Sequence, residues 1–324
     1  MLDSADQRRP RAPCVSIILP TFNRLKFLAA TIESIRRQSF TDWELLIADD
    51  GSGPELRAVL HELDDPPRIR VLWLAHTGNP PAVRNAALRE AKGDYVAFVD
   101  SDDVWLPRKL ELQMRSLRYP TTRDWSYTGF TLVDDGGKPL PGNRAISSQA
   151  IEGRIFEPLV HGQAVLVQSS VMVRRSLLEM VGGYDVGLPV CGDYELWMRL
   201  AHESEIACVG QSLVHVRRHG EHYADDVAAL EDLALTLRKV QRTKLAPDLQ
   251  HVLQRRRVGV SASLARRHAL CGRPFGVLGT VLHDLPFSWR YPNWWLAVLA
   301  STARVLAPTA ALNMIRAYRR RRSH

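Results

Sequence analysis

Cysteine is scarce in this chain. The four that occur among 324 residues, Cys14, Cys191, Cys208 and Cys271, form no CxxC pair, which excludes a zinc finger and a disulfide-stapled scaffold. They are expected as reduced, mostly buried thiols of a cytosolic protein. No GxGxxG follows the first apolar run. PTFNR (20–24) stands there instead, and GSG at 51–53 lacks the third glycine, so a nicotinamide-dependent dehydrogenase is excluded. The first thirteen residues are polar and rich in Arg and Pro, without the apolar stretch of a secretory signal. Long apolar runs are also missing: the one at 294–303 is broken by Arg304 and is too short to span a bilayer.

Acid is absent from residues 285–324, which hold seven arginines (Arg290, Arg304, Arg316 and Arg319 to Arg322) against a net charge of +8 for the whole chain. Most of the excess charge therefore sits at one end. This argues against a globally basic nucleic-acid surface and for a basic tail.

What is present is a regular alternation. VSIILP (15–20) is predicted as a buried strand, and Leu25, Leu28, Ile32 and Ile35 then recur at helical spacing. WELLIADD (43–50), IRVLWLA and DYVAFVD are further strands, separated by the helical patterns PELRAVLHEL and PPAVRNAALREA, the latter opening on prolines. Four strand–helix alternations predict βαβ units and an α/β fold with a mostly parallel sheet. The helix PRKLELQMRSLRY follows, then WSYTGFTLVD as strand, 134–150 as loop, AVLVQSSVMV as strand and IACVGQSLVHVRRHG as strand. From about Asp225 the pattern is helical to the end. The expected organisation is a disordered arm at 1–13, an α/β domain at 14–222 and a helical region at 223–324.

Ligands of such sheets bind at the carboxyl ends of the strands, and the polar segments gather there: PTFNR, DDGS (49–52), HTGNPPAVRNA (76–86) and DSDD (100–103). DSDD is the most demanding, because like charges this close repel unless something positive lies between them. Asp100 and Asp102, at i and i+2, share a face and suit a hard divalent ion that also takes phosphate oxygens. The alternative is an acidic turn in which Asp103 caps the next helix. DDGS is either an ordinary turn, the reading it favours by itself, or a pair of acceptors, Asp49 for a base and Asp50 for a ribose.

Taken in order, PTFNR, DDGS, GNPPAVRNAAL, GDYVAFVDSDD, GGYD (182–185), GDYELWMRL (192–200) and RRH (217–219) resemble the family 2 glycosyltransferases, nucleotide-sugar-dependent enzymes of the GT-A fold. The resemblance covers residues 15–219 and implies a set of roles. Pro20, Thr21, Asn23, Asp49, Arg84, Asp100 and Ser101 would border the nucleotide sugar, with Asp49 on a uracil-like base. Asp102 would ligate Mn²⁺ or Mg²⁺, with His219 beside the metal or diphosphate and Arg218 and His222 as fallbacks. Asp193 inherits the role of base that removes the acceptor proton in an inverting transfer, with Glu195 as rival, although Gly192 replaces the usual Glu of the family's Glu-Asp pair. Trp105, Gly183, Tyr184 and Trp197 are assigned to the floor and acceptor side.

The acceptor implied is a glycan or a lipid-linked sugar of cell-surface polysaccharide assembly. A non-catalytic nucleotide-sugar-binding protein, or a nucleotidyltransferase of related fold, could share the donor half but would not need Asp193. Trp289, Tyr291, Trp294 and Trp295 beside the arginine cluster fit an element lying on an anionic membrane from the cytoplasmic side. The same residues also fit a packed helical appendage.

Overall fold

The structure is a computed structural model and describes residues 12–118, 123–141, 151–218, 226–241 and 247–306. The arm expected at 1–13, the loop after residue 141, His219 and His222 lie largely or wholly outside these residues. The chain divides into two compact units, Met1–His222 and Tyr223–His324.

In the first unit, β1 (Val15–Thr21), α1 (Leu25–Arg36), β2 (Trp43–Asp49), α2 (Pro54–Leu63), β3 (Ile69–Trp73), α3 (Pro80–Glu90) and β4 (Tyr95–Phe98) alternate as the periodicity predicts. There follow β5 (Val104–Trp105), α4 (Lys109–Ser116), β6 (Trp125–Val133), α5 (Phe156–His161), β7 (Val171–Arg174), α6 (Arg175–Val181), α7 (Gly192–Glu203) and β8 (Ile206–Arg217). These eight strands join one sheet in the order β3-β2-β1-β4-β7-β6-β8-β5. Four of its seven interfaces are parallel, and β7 pairs antiparallel with both β4 and β6.

Val15, Ile17, Ile18 and Leu19 of β1 are all buried, as a central strand covered on both faces requires. Leu28, Ile32 and Ile35 of α1 pack on this core. Asn79 caps α3 by accepting the Ala82 N–H at 3.0 Å, and Pro80 and Pro81 occupy the first turn, where no N–H is needed. The polar loops expected to carry the site follow these strand ends.

Two expectations change. AVLVQSSVMV is not one strand: Gln168–Ser170 forms a single 3₁₀ turn, and only Val171–Arg174 enters the sheet. The Ser170 hydroxyl donates back to the Val167 carbonyl at 2.7 Å, a local bond that competes with ladder pairing. The cysteines are only partly covered, with Cys14, Cys191 and Cys208 half-buried and Cys271 exposed.

The second unit contains α8 (Asp226–Gln241), α9 (Pro247–Leu270), α10 (Pro274–Ser288) and α11 (Pro292–Leu306). Its core gathers Val258, Trp294 and Val298, and the Trp294 indole donates to the Ser261 hydroxyl at 2.9 Å. Trp294 thus packs inward, whereas Trp289 and Trp295 remain exposed. No helix among the described residues is long and apolar enough to cross a membrane.

One glycine sets the spacing of β1 and β4. The Gly93 N–H donates to the Ser16 hydroxyl at 2.8 Å, and a Cβ at Gly93 would lie 2.5 Å from the Ser16 nitrogen. Gly93→Ala is expected to destabilise the chain by about 1–3 kcal/mol, the scale of overpacking. The shift of the denaturant midpoint measures this, and an unchanged midpoint would contradict the close approach.

Candidate active site

The ends of β1 and β2 form the first wall. Register pairs Thr21 with Asp49, so their side chains emerge next to each other on one face. Asp49 accepts the Ser52 N–H through Oδ2 at 3.1 Å. Among the described residues its Oδ1 and the Thr21 hydroxyl are buried without a hydrogen-bond partner, an uncommon state for buried polar atoms. Asn23, at φ 51°, fixes the adjoining turn: its N–H donates to the Ser52 hydroxyl at 2.9 Å and its Oδ1 accepts the Gly53 N–H at 2.8 Å. Pro20, paired with Ala48 in the same ladder, precedes Thr21 on the strand.

Asp50 behaves differently from Asp49. It accepts the Thr77 N–H, the Thr77 hydroxyl and the Gly78 N–H at 2.8–2.9 Å, so it ties β2 to the loop before α3. Protein donors thus occupy the carboxylate expected to face a ribose. Asp49 is the one that retains an open oxygen.

The cation demanded by DSDD is met, in the protein alone, by arginine. Arg84 of α3 donates to Asp100 Oδ1 at 2.6 Å, and Arg24, just before α1, meets Asp102 Oδ2 at 3.2 Å. Arg217, at the end of β8, donates its Nε–H to the Asp102 carbonyl at 3.0 Å and its backbone N–H to Asp103 Oδ1 at 3.1 Å. Asp103 does not cap a helix. It is buried, and desolvation together with Asp100 and Asp102 pushes its carboxyl well above the ordinary range. Ser169 in the 3₁₀ turn donates to Asp103 Oδ2 at 2.5 Å and accepts the Asp100 N–H at 3.0 Å. Ser101 is buried between them, its carbonyl bonded by the Thr31 hydroxyl at 3.1 Å.

A divalent ion has a compatible donor set here. The Asp100 side chain is 37% exposed and meets Arg84 through Oδ1, and among the described residues its other oxygen accepts no hydrogen bond. Residues 101–102 form a turn beyond β4, so the strand face expected to carry Asp100 and Asp102 together is not what joins them; Asp102 follows Asp100 through that turn, paired with Arg24. Mg²⁺ or Mn²⁺ commonly takes no more than two carboxylates, filling its shell with water and phosphate oxygens. Among the described residues no group of three His, Cys, Asp or Glu forms a closed metal cage. His219 lies outside the described residues.

The opposite wall is the start of α7. Asp193 is half-buried, and its Oδ1 accepts the Tyr194 N–H at 2.6 Å. Withdrawal from water pushes its carboxyl up, and its further electrostatic neighbours are Arg84, which lowers it, and Asp100, which raises it again. Asp193, Arg84 and Asp100 are therefore within electrostatic reach of one another.

Glu195 is held elsewhere. Arg199 grips both its oxygens at 2.8 and 2.6 Å and also donates to the Val181 and Gly183 carbonyls at 2.5 and 2.7 Å. The rival base is thus the anchor of α7 against the end of α6. Gly192 also finds a reason: a Cβ there would lie 3.0 Å from Pro81 Cγ, so α7 approaches α3 closely only without a side chain.

The residues assigned to the acceptor side form mostly floor. Trp105 is 2% and Trp197 1% exposed. The Trp105 indole donates to the Ser169 carbonyl at 2.9 Å, while Trp197 packs on Phe98 and Trp125. Tyr184 is closed as well: Gln168 donates to its hydroxyl at 2.6 Å, and Asn85 bonds both its N–H and its carbonyl. Its ring lies 5.7 Å from the Arg84 guanidinium. At Gly183, φ is +70° and a Cβ would sit 2.8 Å from Asn85 Oδ1, so this glycine lets the chain turn tightly beneath Arg84. All four residues are buried.

With the geometry in place, a sequence model described as glycosyl transferase family 2 matches residues 16–178. The chain belongs to that family. Asp193 and Glu195 lie beyond the matched segment. A Bacillus subtilis protein, TuaG, named as a teichuronic acid biosynthesis glycosyltransferase, is 37% identical over 129 residues, 40% of this chain and 51% of that protein. The match thus spans about half the length of that relative. The Escherichia coli UDP-Glc:alpha-D-GlcNAc-diphosphoundecaprenol beta-1,3-glucosyltransferase WfgD is 35% identical over 195 residues, 60% of this chain and 72% of that one. Among solved structures, Staphylococcus aureus TarS 1–349 in complex with UDP-GlcNAc has a TM-score of 0.61 at 20% identity, over 90% of this chain and 81% of the other. A mannosyltransferase from Pyrobaculum calidifontis in complex with GDP-Man and Mn²⁺ has 0.58 at 16%, over 91% and 86%. These likenesses establish the GT-A fold.

Sequence reasoning does not mark Ser169 or Asp103 as ligand-site residues. Ser169→Ala removes the hydroxyl that bridges Asp103 to the Asp100 backbone and is expected to cost about 1–3 kcal/mol, the penalty for orphaned buried groups, and to weaken nucleotide-sugar binding. Chemical denaturation and calorimetric titration check the two effects. If neither changes, Ser169 does not support the cluster.

Proposed function

We propose that the chain transfers a sugar, with inversion at the anomeric carbon, from a nucleotide diphosphate donor to a hydroxyl of a glycan or lipid-linked acceptor in cell-surface polysaccharide assembly. The observation that carries this reading is the half-buried Asp193 at the start of α7, within electrostatic reach of Arg84 and Asp100, with Glu195 committed to Arg199. A protein that only binds nucleotide sugars has no use for a carboxyl of raised basicity in that place. The names of WfgD and TuaG support the acceptor class.

On the donor side, Thr21 and Asp49 are proposed to read the base. Asp49 Oδ1 would accept an imide N–H and the Thr21 hydroxyl would donate to the neighbouring carbonyl, a pattern that suits uracil and therefore a UDP-sugar. Asp100 and Asp102 would hold Mn²⁺ or Mg²⁺. Such an ion, when bound, neutralises charge growing on a leaving diphosphate. Arg84 and Arg24 lie where phosphate oxygens would arrive and, being fixed by carboxylates, are already oriented. Asp193 would take the proton from the acceptor hydroxyl as its oxygen attacks from the face opposite the diphosphate. No covalent sugar–protein link is required.

A panel of nucleotide sugars assayed for Mn²⁺-dependent hydrolysis tests the donor, and absence of sugar release from every donor would sink the enzymatic reading. Asp193→Asn is expected to lower turnover by roughly 10² to 10⁴, the usual scale of general-base catalysis, with donor affinity retained. The base must be ionised to act. Because burial raises its carboxyl, the rate should rise with pH through a limb above the ordinary carboxylate range, and that limb should vanish in Asp193→Asn. Equal turnover in the variant would remove Asp193 from the mechanism. Asp102→Asn should instead weaken metal-dependent donor binding in calorimetric titration, and normal affinity would contradict its assignment.

A further inference from the structure

In the second unit, helix α10 leaves exposed a row of apolar residues that a surface helix ordinarily turns inward. Its inward face mixes Val277 with the polar Thr280, Asp284 and Ser288, all buried, and Val281 and Leu285 pack against the core. Asp284 is gripped there by Arg238 of α8 at 3.3 Å and lies 3.7 Å from Arg257 of α9. The outward face carries Phe275, Leu278 and Leu282, at 85%, 53% and 65% exposure, spaced three and four residues apart and therefore in one stripe. Helix α11 buries apolar Trp294 and Val298 but also leaves Leu296 and Leu299 exposed. An apolar stripe on a helix is normally the face that packs, and an exposed patch of this kind marks an interaction surface.

The charge around the stripe selects the occupant. Between residues 274 and 306 the only acid is Asp284, which is buried and paired. Arg273 and Arg290 are exposed at the ends of α10, and the Arg290 guanidinium lies 4.8 Å from the centre of the Trp289 ring. In sequence, Arg304, Arg316 and Arg319 to Arg322 follow with no acid. A second copy docked by a two-fold axis would set this positive border against itself. An anionic lipid surface supplies both an apolar interior for the leucines and a negative plane for the arginines.

We infer that the outward face of α10 and α11 lies on an anionic membrane. Each helix has 15 residues, about 22 Å at 1.5 Å per residue, short of the ~30 Å hydrocarbon thickness. The pair lies in the interface and does not cross it. This inference stands apart from the donor chemistry, which belongs to the first unit.

The test is flotation of the full chain with vesicles of phosphatidylcholine alone or of phosphatidylcholine with phosphatidylglycerol, with molar mass followed by light scattering. The chain is expected to float with the anionic vesicles, to float far less with the neutral ones, and to be released as salt rises. The double variant Leu278→Glu/Leu282→Glu should lower the bound fraction roughly tenfold or more, and Phe275→Ser should lower it less, both with unchanged helical circular dichroism and unchanged nucleotide-sugar hydrolysis. Failure of the wild-type chain to float overturns the inference, as does equal flotation of both variants. A doubled mass that the double variant returns to a single chain would assign the face to a second copy instead.

Discussion

The site depends on how one strand end carries three carboxylates within four residues. Unit charges a few ångströms apart interact strongly at the low effective dielectric of a protein surface, so β4 could not end in DSDD without nearby compensation. Three elements provide it: Arg24 from the approach to α1, Arg84 from α3 and Arg217 from β8. The third aspartate is relieved differently, by a burial that favours its proton-bearing form. Helices and strands far apart in sequence are thereby tied to one loop.

A second division of labour separates two carboxylates in the first turn of α7. Asp193 and Glu195 differ by two positions and have opposite fates. Glu195 faces inward along α7 and is neutralised by Arg199, which fastens α7 to the turn that holds Gly183. Asp193 is only partly covered, with its Oδ1 accepting its neighbour's N–H. The starts of α7 and α3 are almost in contact, and Gly192 against Pro81 permits this.

Much of this is legible in the sequence. Continuous apolar runs and helical stripes locate β1 to β4 and α1 to α3, and the polar strand ends mark the candidate site. Ser169 is not legible, because its partners Asp100 and Asp103 lie 69 and 66 residues away and its surroundings, AVLVQSSVMV, have the composition of a plain strand. The order in which β7, β6 and β8 return to the sheet is likewise a property of long-range pairing. The tryptophans near the C-terminus announce an apolar element but not its division, in which Trp294 packs inward and Trp289 and Trp295 stay outside.

The central claim is that the carboxylates at the end of β4, pre-set by arginine, receive a divalent ion together with a nucleotide diphosphate. The most direct measurement is an anomalous difference map from crystals soaked with a UDP-sugar and manganese. The account predicts a manganese peak against the Asp102 carboxylate, with the diphosphate beside Arg84 and the base against Asp49. A bound nucleotide with no manganese near Asp102, or a base lodged away from Thr21 and Asp49, would contradict it.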